Sequence, residues 1–155
     1  MQYHIQEAAL ELPSEGFIDR SVNVFIFGDP ALPFNVVITR DYFDEGSGIE
    51  ALLQEQLRSL STVGKSYKQI DVSKTRLPLH GPAGAQLVND TDAPNAVGAY
   101  VSYSKQGHTI HQRIVLIELP ERKALVLTGT HAAPWKPHHE AQWASILQSV
   151  RARPQ

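Results

Sequence analysis

The sequence predicts an α+β fold in which one antiparallel sheet of six or seven strands is accompanied by two main helices. Three observations carry this reading. The back half holds three β-type runs, "VGAYVSYS", "HTIHQRIVLIEL" and "KALVLTGT", separated by "KQG" and "PER", loops of the length that joins antiparallel neighbours. Residues 48–63 place Ile49, Leu52, Leu53, Leu57, Leu60 and Val63 at helical spacing. Residues 137–150 open on a proline, suited to a first helical turn, and carry Trp143, Ile146, Leu147 and Val150 as an apolar stripe.

From the N-terminus, residues 2–12 read as one or two short strands closed by the turn residues of "PSEG". "SVNVFIF", 21–27, reads as a strand with Val22, Val24 and Ile26 on one face and Asn23, Phe25 and Phe27 on the other. Both faces are largely apolar, so both need a cover. After the loop "GDPALP", the β-branched run "FNVVITR", 34–40, reads as its hairpin partner. Asp19, Arg20, Arg40 and Asp41 bracket that hairpin and predict charge pairing across the strand ends. The helix over 48–63 has Ser47 as an available N-cap and Gly64 as a stop. "SYKQIDVSK" suggests a further strand, 77–84 a loop, 85–89 a short strand and "NDTDAPN" a polar connection.

The chain is 155 residues long, the size of one domain, which we take as 1–155. A formal charge of −2 without long runs of one sign supplies no electrostatic footprint for nucleic acid or an anionic membrane. The absence of cysteine excludes disulfides, thiolate metal sites and a cysteine nucleophile. The first residues lack a basic and apolar leader pattern, and no stretch approaches the ~20 apolar residues of a bilayer span, so a soluble, cytoplasmic protein that does not insert in the membrane is expected.

Two glutamines stand where apolar residues belong. At 100° per residue Gln56 falls between Leu53 and Leu60, near the middle of the helix stripe. Gln112 shares a strand face with Ile110, Ile114 and Leu116. An amide buried without a partner costs about 1–3 kcal/mol, so each either meets a group inside the fold or stands on the wall of an apolar groove. With two helices for so broad a sheet, only one face is expected to be well covered. The uncovered apolar face then marks an interaction surface, a dimer contact or the seat of a long loop such as 74–84.

"DRSVNVF", "VVITRD", "EQL" in the first long helix, "HQRIVLIE" followed by "ALVLTGT", and "WASILQS" at the end, taken in that order, resemble the effector-associated (Eag) chaperones of bacterial type VI secretion, a DcrB-like group with the Mog1/PsbP-type fold. The resemblance implies a homodimeric, non-enzymatic chaperone without cofactor. It would shield the N-terminal transmembrane helices of a PAAR-containing effector, sometimes with an Rhs shell, in a concave apolar groove before loading. By position, the resemblance assigns Val22, Val24, Val37 and Thr39 to the groove lining and Gln56 and Gln112 to polar contacts. Leu60 and Ile114, which share faces with those glutamines, complete the set of effector-binding residues. Valines stand here where bulkier isoleucine is common in the family.

Seven histidines invite a rival reading as a small metal-dependent hydrolase built on His138, His139 and Glu140. Neighbours in a helix point about 100° apart, however, and no i, i+4 histidine pair is present. His108 and His111 face opposite ways along a strand and read as surface or edge residues. No G-x-S-x-G elbow appears, and "GPAGA" is too short for a phosphate loop. Trp135 and Trp143 read as core or rim packing. A generic ligand-binding module of the same fold is the third possibility, since fold alone does not fix function.

Overall fold

The computed structural model describes residues 2–4, 8–13, 15–16, 18–77 and 94–150. Its elements are β1 (Gln2–His4), β2 (Ala9–Glu11), β3 (Asn23–Phe27), β4 (Phe34–Tyr42), α1 (Ile49–Val63), β5 (Lys65–Thr75), β6 (Ala96–Lys105), β7 (His108–Leu119), β8 (Lys123–His131) and α2 (Pro137–Ser149). β1 and β2 form a separate two-stranded ribbon, and the other six strands form one sheet in the order β3-β4-β8-β7-β6-β5. Every recorded pairing is antiparallel. The expected short strand over 85–89 lies outside the described residues.

The meander β6-β7-β8 forms the centre because its residues are apolar on both sides. Gln106 and Gly107, both at positive φ, make the two-residue turn between β6 and β7, a geometry whose twist matches the flanking strands. α1 connects β4 to β5, which have β8, β7 and β6 between them in the sheet, so the helix must cross over one face. α2 follows β8 and lies on the opposite face.

The helices therefore do not share a face, which corrects the expectation that one face is well covered and the other bare. Each face is covered in part. On the first, Ile49, Leu53 and Leu57 of α1 pack on Val97, Ala99, Val101 and Tyr103 of β6, Ile114 and Leu116 of β7, and Ala124 and Val126 of β8. On the second, Trp143 of α2 packs with Phe34, Val36, Leu77, Ala96, Val115, Ile117 and Leu127. The alternation along β7 assigns successive residues to the two cores, as a strand buried on both sides requires.

Two end residues also differ from expectation. Gly48, not Ser47, occupies the N-cap of α1 and makes no side-chain cap bond; the Ser47 amide instead closes a turn onto the Asp44 carbonyl at 3.0 Å. Gly64 does end α1, but its backbone is not left-handed. A Cβ there would lie 2.7 Å from the Tyr103 ring, so close approach is what demands glycine. Asn95, read from sequence as part of a polar connection, is buried and bridges to Leu77, accepting from its amide at 2.7 Å and donating to its carbonyl at 2.9 Å.

Candidate binding groove

Cross-strand register decides which side chains stand together. Val24 lies opposite Val37, and Val37 opposite Thr128; Thr39 lies opposite Val126, and Thr128 opposite Ile114. Alternation puts Val22 on the same face, at the mouth of β3. All eight sequence-predicted residues therefore share the α1 face, and four of them, Gln56, Leu60, Gln112 and Ile114, line one cavity of about 670 Å³ beside α1. Val22, Val24, Val37 and Thr39 extend that cavity sideways as a shelf over β4 and β3.

The shelf is open. Val22 is 57% exposed, Val24 58% and Ile26 68%, although β3 is regularly paired to β4 along its length. α1 stops short of it because the helix packs over β6, β7 and β8. Ion pairs hold the shelf's entrance: Arg40 Nε lies 3.4 Å from Asp19 Oδ2, and Arg20 Nη1 lies 3.9 Å from Asp41 Oδ1. Arg40 also donates to the Ser21 hydroxyl at 2.5 Å and to its carbonyl at 3.3 Å, tying the segment before Val22 to β4. These side chains are partly solvated, so each ion pair contributes little energy by itself. Their effect is to fix the approach of the chain into β3.

The two glutamines answer differently. Gln112 donates from its amide to Thr130 Oγ1 at 3.0 Å and also engages the Tyr103 hydroxyl, so its needs are met inside the fold. Burial raises the Tyr103 pKa above its ordinary value, and the bond to Gln112 offsets part of that rise. The Gln56 side chain has no hydrogen-bond partner among the described residues and faces the cavity half-exposed. Its amide remains available to whatever fills the space.

Sequence reasoning missed Tyr103, Thr128, Tyr42 and Asp41, which also line the cavity. Period-2 alternation in "VLTGT" places Thr128 and Thr130 on one face, but joining that face to Gln112 needs the β7–β8 register.

Two members of the rival triplet are engaged elsewhere. His139 Nδ1 accepts from the Lys136 amide at 3.0 Å, and Glu140 is held by Arg113 at 2.7 Å. Among the described residues no group of three or more His, Asp or Glu side chains is placed to hold a metal ion. His111 is not a surface or edge residue: β7 is central, and His111 is half-buried beneath the α2 segment, opposite His131. Among the described residues no helix is long and apolar enough to cross a membrane.

A family model, DcrB, matches residues 7–149. The chain belongs to the DcrB family. It is 27% identical over 158 residues to Effector EagT6 of Pseudomonas aeruginosa, covering 98% of this chain and 96% of that protein. It is also similar to the crystal structure of PA94, a protein of unknown function from Pseudomonas aeruginosa, with a TM-score of 0.75 and 24% identity, covering 100% of this chain and 98% of that one. That likeness supports the α+β fold.

Proposed function

We propose that this DcrB-family chain is a cytoplasmic, non-enzymatic type VI secretion chaperone, a homodimer whose groove receives the N-terminal transmembrane helices of a PAAR-containing effector before loading. The observation that carries the reading is the open apolar shelf of Val22, Val24 and Val37, continuous with a cavity whose wall presents the Gln56 amide, which has no partner among the described residues. The near full-length similarity to Effector EagT6 supports assigning the chain to effector handling.

A membrane helix in water exposes apolar side chains each worth roughly 1.5–3 kcal/mol on full burial, so it aggregates or inserts unless it is covered. The shelf supplies apolar area at little cost in backbone solvation beneath it, because β4 is paired on both sides and β3 along its inner side. Membrane helices associate through small residues and interhelical hydrogen bonds, and Gln56 offers such a bond at the groove wall. Gln112, already bonded to Thr130, positions the floor and contributes to binding less directly.

The test is co-expression of the effector's N-terminal region with wild-type chain or Val24→Glu. A carboxylate on the shelf is expected to abolish co-purification and lower effector levels at least tenfold while the variant stays folded. Undiminished effector levels with a folded Val24→Glu variant would remove the shelf from the mechanism.

A further inference from the structure

We propose that the N-terminal turn of α2 is latched to the sheet by a row of imidazoles, of which His111 and His139 are held neutral by their surroundings, and is released by acidification. The row crosses three elements. His111 on β7 lies opposite His131 on β8; the His131 and His139 rings are 4.3 Å apart, and the His139 and His138 rings 4.0 Å apart. His131 and His139 are buried, His111 is half-buried and His138 is exposed.

Hydrogen-bond roles exclude the charged form at two members of the row. His139 Nδ1 accepts the Lys136 amide N–H at 3.0 Å, a bond that closes the first turn of α2. An imidazolium carries a hydrogen on both nitrogens, so a protonated His139 would set a donor against a donor and remove that cap, leaving the turn to the His139 and Glu140 amides on the Lys136 carbonyl. His111 Nδ1 is buried without a hydrogen-bond partner among the described residues, so a proton there would become an orphaned donor. His131 Nδ1 sits 2.9 Å from the Ala133 carbonyl and 3.1 Å from its amide, and tolerates either tautomer.

The charges facing the row do not compensate. Lys136 is cationic, and the imidazoles sit at the positive end of the α2 dipole. Glu140 is the nearest carboxylate on α2, but Arg113 of β7 holds it at 2.7 Å while stacking on Tyr100 at 4.3 Å. Asp29, on the same cavity wall as His131, His138 and His139, accepts from the Ala31 amide. Phe34 of β4 packs on His139 with an apolar ring, 5.5 Å between centroids. Burial and neighbouring positive charge accordingly lower the pKa of His111 and of His139 below the ordinary histidine value.

The sign follows from linkage. The unfolded or undocked segment binds protons near pH 6.5 and the docked segment binds them only lower, so docking is at full strength above about pH 6.5 and weakens below it. Each such site can raise the opening equilibrium by about tenfold per pH unit in that window. The experiment is amide exchange of the full chain at pH 7.5 and 5.5, corrected for intrinsic rates, with imidazole nitrogen NMR on the same samples. Opening of residues 137–141 is expected to rise about ten- to hundredfold while the core of β6 and β7 stays protected, with His111 and His139 titrating below 6.5. His139→Asn keeps an acceptor and removes the His139 titration, and is expected to cut the rise to that of His111 alone, about tenfold at most; an undiminished rise overturns the role of His139. Should that variant fail to fold, the wild-type titration decides. Opening that does not change between the two pH values, or His111 and His139 titrating at or above 6.5, overturns the latch.

Discussion

The two faces of the sheet each receive one helix and are each covered in part, yet one is bridged by large rings and the other by leucines that leave β3 open. On the α2 face, Trp135 and Trp143 meet edge-on at 5.7 Å, Phe34 meets Trp135 at 5.0 Å, and Trp135 donates from its indole to the His111 carbonyl. These rings reach from the helix across β7 and β8 to β4. On the α1 face, the helix supplies leucines, which reach no further than the strands directly beneath them, and β3 is left bare. Side-chain reach, rather than helix number, decides how much sheet a helix covers. Both faces carry buried core residues and so both contribute to stability, while the open shelf beside β3 can be given to a partner at small cost.

Substitutions on the two faces should therefore differ in kind. Trp143→Ala is expected to have the largest effect, lowering unfolding free energy by about 3–5 kcal/mol through the cavity left in the ring-packed core, as read from denaturant midpoints. A loss below 1 kcal/mol would mean that the rings of the α2 face add little to the stability of the fold. Next comes Gly129→Ala on β8, whose Cβ would stand 2.7 Å from the Trp135 ring. Forcing that ring to move is expected to cost about 1–3 kcal/mol and to shift tryptophan fluorescence. The smallest effect on stability belongs to Val24→Glu on the open shelf, expected within about ±0.5 kcal/mol of wild type, even though it abolishes effector capture. A large destabilisation there would show that the shelf is packed inside the protein's own assembly.

Much of the site was legible one element at a time. Helical spacing alone put Gln56 amid the α1 leucines, and strand alternation alone put Gln112 beside Ile114. The pairing of Asp19 with Arg40 and of Arg20 with Asp41 was also legible, because the residues bracket a local hairpin. What stayed hidden was non-local. His111, His131 and His139 gain their meaning only when β7 and β8 pair and α2 folds back over them, so isolated inspection made His111 a surface residue. The same holds for Tyr103 and Thr128, ordinary strand residues until the register brings them to the groove wall.

By itself the sequence determined the strands of the main sheet, the two helices and the apolar character of both faces of residues 21–27, because these follow from local periodicity within a few residues of chain. The tertiary structure alone decided which helix lies over which face. That choice depends on a strand order, β3-β4-β8-β7-β6-β5, that departs from chain order and forces α1 to cross the sheet while α2 returns on the far side. Burial is a property of that arrangement, and no local pattern carries it.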